Sequence, residues 1–143
     1  MEKKRFVFMV GFIFILALTF LLAKQSTSYA SECRIVRIVA FASDQSVMLE
    51  PETAYINKGD CVIWFNNVVI REFQIVFENG KKCTDVVESS MDFELNENSC
   101  LVTKAYIPNR GTASFAFDKE GTFDYVMNAK GTNLKIKGQI IVR

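Results

Sequence analysis

No histidine occurs anywhere in the 143 residues, and that single absence excludes whole classes of chemistry. Ser-His-Asp and Cys-His hydrolases, imidazole acid–base catalysis and His-ligated metal centres all require a side chain the protein does not have. A basic excess is missing too: 17 Lys and Arg stand against 16 Asp and Glu. Beyond residue 30 the balance is 13 to 15. No basic excess is therefore available to neutralise phosphates, and no nucleic-acid partner is expected. The four cysteines, at 33, 61, 83 and 100, include no C-x-x-C pair, and their spacings match no zinc knuckle. From residue 34 onward no apolar stripe repeats at helical spacing for three turns. Internal repeats, low-complexity tracts, a nucleophile elbow and a paired-carboxylate constellation are also absent. An enzyme is not expected, and no cofactor is implied.

One long hydrophobic run is present. Phe6 to Ala23 is apolar except for Gly11 and Thr19, after the basic start Lys3-Lys4-Arg5 and before the polar stretch Lys24–Ser28. Ser28-Tyr29-Ala30 supplies the small residues that a signal peptidase reads. Eighteen residues are also just enough to span a bilayer. Residues 1–30 therefore read as a signal peptide or as an N-terminal membrane anchor through residues 6–23. Lipidation at Cys33 is a third reading, disfavoured by Glu32 in front of it. The charge asymmetry holds the N-terminus in the cytoplasm in each case, so the domain at 31–143 is expected to be extracytoplasmic, either periplasmic or secreted.

Within 31–143 the pattern is that of strands. Arg34–Phe41 is rich in β-branched residues, and Thr112–Phe117 and Gly121–Val126 alternate apolar and polar residues. Turn signals recur at Pro51, Asn57–Asp60, Glu78–Gly80, Pro108–Gly111, Lys119–Gly121 and Lys130-Gly131. Strands are expected at about 34–41, 46–49, 53–56, 61–66, 73–77, 100–106, 112–117, 122–128 and 135–142. The acidic stretch 78–99 is expected as a long loop or short helix. Many short strands in so few residues describe an all-β sandwich.

Two segments carry a family resemblance. In Pro51-Glu52-Thr53-Ala54-Tyr55-Ile56-Asn57-Lys58-Gly59-Asp60-Cys61-Val62-Ile63-Trp64-Phe65-Asn66-Asn67, a proline precedes a strand, Gly-Asp turns, and V-x-W-x-N follows. Gly111-Thr112 through Phe117, then Gly121-Thr122-Phe123-Asp124-Tyr125, and the closing Ile136-Lys137-Gly138-Gln139-Ile140-Ile141-Val142 supply the second half. The ordered set resembles the cupredoxin family over about residues 47–142 outside the 78–99 insertion. The resemblance implies a Greek-key sandwich with one long loop insertion, here after an N-terminal hydrophobic helix.

The family's copper ligands do not carry over. The first histidine position corresponds to Glu72, or to Phe73 if alternation with Ile75 sets the register. The cysteine position is Met127, the second histidine Lys130, and the axial methionine Ile136. Type 1 copper needs two imidazoles and a thiolate with a weak axial ligand, and this set has none of those three. Glu72 and Lys130 either form an ion pair linking the loops that copper ties in relatives, or stand as separate solvated charges.

Cys83 and Cys100 bracket the insertion and are expected to form a disulfide. Cys61 reads as a small buried hydrophobe. Cys33 pairs with Cys61, stays free or carries lipid. Trp64 reads as a packed core tryptophan. Phe115, Phe117, Phe123 and Tyr125 read as core or cross-strand pairs. The expected function is that of a non-catalytic binding or structural module, free of copper, acting on an extracytoplasmic protein partner. The alternative is a periplasmic copper-binding or electron-transfer protein.

Overall fold

The computed structural model describes residues 31–41, 46–79, 82, 83 and 90–143. The signal, anchor and helix readings for residues 1–30 lie outside them. Ser31–Arg143 forms one compact unit. Its strands are β1 (Cys33–Ala40), β2 (Val47–Glu50), β3 (Thr53–Ile56), β4 (Cys61–Asn66), β5 (Phe73–Asn79), β6 (Lys82–Cys83), β7 (Phe93–Leu95), β8 (Leu101–Thr103), β9 (Thr112–Ala116), β10 (Gly121–Ala129) and β11 (Lys135–Val142). No described residue is helical.

The strands form two layers. One sheet has the order β2-β1-β4-β9, and the other β3-β11-β10-β5-β8-β7, with β6 paired to the end of β5. Alternation decides which side chains enter the space between them. In β4, Val62, Trp64 and Asn66 are buried while Cys61, Ile63 and Phe65 are only partly so. In β10, Phe123, Tyr125, Met127 and Ala129 face inward. The expected strands are found within a few residues of their sequence positions. The 78–99 stretch differs: it contributes the short β6 and also β7, an edge strand paired with β8 through Phe93↔Thr103 and Leu95↔Leu101. Phe93 is fully buried, and its packing places a strand in a segment whose polar flanks read as loop.

Aromatic rings dominate the core. Trp64 from the first sheet meets Phe77, Phe93 and Tyr125 from the second at centroid distances of 5.9, 5.7 and 5.5 Å. Phe115, Phe117 and Phe123 extend the chain of contacts. Each such ring removes some 150–250 Å² from water, and edge-to-face pairs add to that burial. Tyr125 lies across Gly138, its cross-strand partner. A Cβ at Gly138 falls on the Tyr125 ring and on Leu49, so no larger residue fits there. Burial pushes the Tyr125 phenol above its usual range, partly opposed by the neighbouring Trp64 indole.

The cysteines correct one expectation. Cys33 and Cys61 are opposite each other in the parallel β1–β4 register and form a disulfide. Cys61 is therefore a cross-link and not a lone buried hydrophobe, and Cys33 has no thiol left for lipid. Closing a loop of 28 residues contributes about 3–4 kcal/mol in the chain-entropy model. Cys100 is disulfide-bonded as well, while the Cys83 side chain lies outside the described residues.

Asp60 reinforces the same end of the sandwich. Its carboxylate accepts hydrogen bonds from the Asn57 N–H at 2.9 Å and the Glu32 N–H at 3.1 Å. These donors hold its pKa below the usual value of 3.8, the Asn57 N–H contributing most. A depressed carboxylate stabilises the fold above its unfolded pKa, and that contribution disappears as pH falls through the folded value. Asp60→Asn is expected to lower the thermal midpoint at pH 7 and to flatten its fall below pH 3.8. Parallel acid limbs for both proteins would contradict the role assigned to this carboxylate.

The side of the sandwich where β7 and β9 meet is closed by residues 90–92. Asp92 accepts from the Ser114 N–H at 2.8 Å and its hydroxyl at 3.0 Å. Lys104 Nζ donates to the Ser90 and Met91 carbonyls. An edge-strand N–H of β9 is thereby occupied, which discourages pairing with another chain.

Candidate functional site

Three connections converge at the end of the sandwich opposite the Cys33–Cys61 disulfide: residues 67–72 between β4 and β5, 104–111 between β8 and β9, and 130–134 between β10 and β11. Asn66, the last residue of β4, organises them. It is fully buried, so every polar atom of its amide needs a partner. Its Nδ2 donates to the Arg71 carbonyl at 2.8 Å and the Ile107 carbonyl at 3.0 Å, and its Oδ1 accepts from the Val68 N–H at 2.9 Å. One amide thus fixes both ends of the 67–71 loop and ties it to the 104–111 connection. Phe73 and Ile107 exchange backbone hydrogen bonds of 3.2 and 2.7 Å.

Bracing leaves the loop tip outside. Val68 is buried at 3 % exposure, whereas Val69 and Ile70 are 78 % and 75 % exposed. Beside the tip, Lys130 Nζ contacts Glu72 Oε2 at 2.6 Å. The Lys130 N–H also donates to the Glu72 carbonyl at 2.9 Å. The ammonium lies 5.3 Å from the centre of the Tyr106 ring. The hydrogen bond that Lys130 donates to Glu72, then the Glu72 charge, then Tyr106, raise the Lys130 pKa. Lys130 begins a tight turn in which Gly131 adopts φ 70°, a left-handed conformation that glycine supplies without strain.

The four positions matched to copper ligands are neighbours here. Met127 sits opposite Ile75 on one side and Ile136 on the other. Met127 is completely buried, and Ile136 packs partly buried against the core. Phe73 is buried opposite Ala129, while Glu72 and Lys130 lie at the rim. Both readings of the first position therefore have a place: Phe73 plugs the interior, and Glu72 makes the exposed link. Thioether, phenyl and aliphatic carbons fill the space, and they pack without offering a strong donor to a metal. Among the described residues, no three His, Cys, Asp or Glu side chains group closely enough to hold a metal ion. A shallow polar hollow of about 550 Å³ adjoins the pair, lined in part by Gln74, Tyr106, Asn128, Thr132 and Asn133.

Solved structures of amicyanin share this architecture. A reduced tryptophan-to-tyrosine variant superposes with a TM-score of 0.52 at 16% identity, covering 81% of this chain and 87% of that one. The Cu(I) form of a methionine-to-alanine variant gives 0.52 at 17% over the same shares. The domain is cupredoxin-like. No family model matches the sequence, and no curated protein is significantly similar to it. The likeness is one of fold, and this cupredoxin-like domain has no histidine or free thiolate at the four corresponding positions.

Asn66 and Tyr106 are the residues of this end that the sequence did not single out for a role. Asn66 stands inside the V-x-W-x-N segment, but its bond to Ile107 spans 41 residues. Tyr106 carries no local signal. For the Glu72–Lys130 pair, both side chains are substantially exposed, at 42 % and 58 %, so the ion pair contributes little stability. With the Lys130 pKa raised, the contribution is present below pH 10.5 and is lost as pH rises through the folded value. Glu72→Gln and Lys130→Met are expected to shift the thermal midpoint only slightly, with the difference vanishing at high salt. A loss as large as that of a core truncation would make the pair a structural strut and not a rim contact.

Proposed function

We propose that this domain is an exported, non-catalytic binding module that meets an extracytoplasmic protein partner through its Val69–Ile70 tip. The observation that carries the reading is the bracing of that tip. Two large apolar side chains project into water from a loop held by three hydrogen bonds of a buried asparagine. Ordering entropy is a main cost of association, and a loop already fixed by Asn66 pays less of it on docking. The Glu72–Lys130 pair beside the tip offers a polar rim to an apolar contact.

Export is supported by the hydrophobic run before the domain and by a cross-strand disulfide, which persists in oxidising compartments. A Greek-key connection of the sandwich accords with the cupredoxin likeness. Amicyanin structures include Cu(I) forms. The positions here carry Glu72 or Phe73, Met127, Lys130 and Ile136 instead, which favours contact over metal chemistry.

The test places a photo-crosslinking amino acid at Ile70 or, as a control, at exposed Tyr55, in cells producing the full chain. A discrete adduct of one protein at position 70, absent at 55, is expected. Val69→Asp with Ile70→Asp should weaken recovery of that protein by about tenfold or more, as for central apolar anchors. Adducts at both positions, or none at 70, would refute the reading, as would stoichiometric copper in the purified protein.

A further inference from the structure

The outer faces of the two sheets differ in apolar content. On the outer face of the other sheet, Tyr55 is 57 % exposed and Ile141 partly so, beside the polar Lys135, Lys137, Gln139 and Asp124. Val76 is buried there in a small cluster with Cys100 and Val102. On the outer face of β2-β1-β4-β9, more apolar residues stand side by side. Ile35 is opposite Ile63, Arg37 is between Phe65 and Glu50, and Val39 is opposite Met48. Ile35, Met48 and Phe41 are 49 %, 42 % and 50 % exposed. A solvated outer face of a sandwich ordinarily alternates to polar residues, and this one does so only at Arg37, Glu50, Thr112 and Ser114.

Chain connectivity indicates what covers it. β1, at the middle of the apolar face, begins at Cys33, and the 18-residue apolar run ends at Ala23. The nine residues 24–32 reach at most about 30 Å when fully extended. If the run is kept in the membrane, β1 is the strand tethered closest to the lipid.

We propose that residues 6–23 remain as a membrane anchor and that the outer face of the β2-β1-β4-β9 sheet rests on the bilayer they enter. Interfacial binding grows with apolar area buried at the headgroup boundary. Ile35, Ile63, Phe65 and Met48 supply that area, and Arg37 supplies a cation at headgroup depth. The outer face of the other sheet, with Lys135, Lys137 and Asp124, then points to the aqueous side. Strands lie along the membrane, so the Val69–Ile70 tip projects sideways toward neighbouring proteins. The orientation goes beyond the partner reading and does not depend on it.

The full chain, one copy per nanodisc of phosphatidylethanolamine and phosphatidylglycerol, provides the test. A coumarin-bearing amino acid replaces Met48 or, as control, Lys137, and brominated lipids serve as quenchers. The expected result is loss of coumarin emission at position 48 and none at 137, with the anchor intact by mass. Ile35→Lys should restore the emission at 48 while leaving the circular dichroism spectrum unchanged. Three results overturn the proposal: no quenching at 48; equal quenching at both positions; or a membrane-fraction protein that begins at Ser31. Emission at 48 that shifts blue only when two copies share a disc, without bromine quenching, assigns the face to a second copy and overturns it as well.

Discussion

Replacing Trp64 with alanine is expected to cost the domain about 3–5 kcal/mol, at the upper end for loss of a buried aromatic. The ring has no exposure and touches Phe77, Phe93 and Tyr125 across the gap between sheets. Its removal leaves a cavity bordered by rigid rings that cannot collapse inward. A domain of this size has only about 5–15 kcal/mol in total, so the variant is expected to be partly unfolded or sharply lower in midpoint by circular dichroism. Trp64→Phe separates packing from polarity. The indole N–H has no partner of normal geometry among the described residues, so phenylalanine keeps much of the volume and removes a buried donor. Its cost should be below about 2 kcal/mol. Equal costs for the two variants would show that the nitrogen matters more than the volume.

Asn66→Ala is expected to cost about 3–5 kcal/mol, because each stranded partner of a buried amide loses about 1–3 kcal/mol. The Arg71 and Ile107 carbonyls lose their donor, and the Val68 N–H loses its acceptor. Trp64 is the sole tryptophan, so its fluorescence reports the unfolding midpoint in denaturant directly. Asn66→Asp keeps an acceptor for Val68 but turns a carboxylate toward two carbonyls, so it should be no better than alanine. If aspartate instead restores wild-type stability, the two donated bonds contribute nothing. The alanine variant should also lose the Ile70 crosslink in whatever fraction remains folded, because the tip is no longer held in place.

Much of the fold is legible in the chain because strand alternation is a local property. Thr112–Ala116 and Gly121–Ala129 are strands with the inward and outward faces that their sequences dictate. The segment at Phe93–Leu95 is not legible in this way. Three residues cannot establish a period, and what makes them a strand is Phe93 packing against Trp64, Phe77 and Phe115. The Cys33–Cys61 link is hidden for a related reason: it depends on a parallel register between strands separated by two others along the chain. At the candidate site, Lys130 and Glu72 are 58 residues apart, and only the family register brings them together in the sequence. That register could not choose between Glu72 and Phe73, since alternation gives one to the rim and its neighbour to the core. Asn66 is visible as a motif residue but not as the brace of the loop, because its link to Ile107 spans 41 residues.

The position of β11 has a consequence for how the chain is made. Lys135–Val142 is an interior strand, lying between β3 in parallel and β10 antiparallel. A nascent chain halted before Lys135 therefore has β3 detached from its sheet and β10 with an open edge, each presenting unpaired backbone groups. Native pairing of the larger sheet waits until translation has passed Val142, and such late, long-range closure is slow and prone to aggregation.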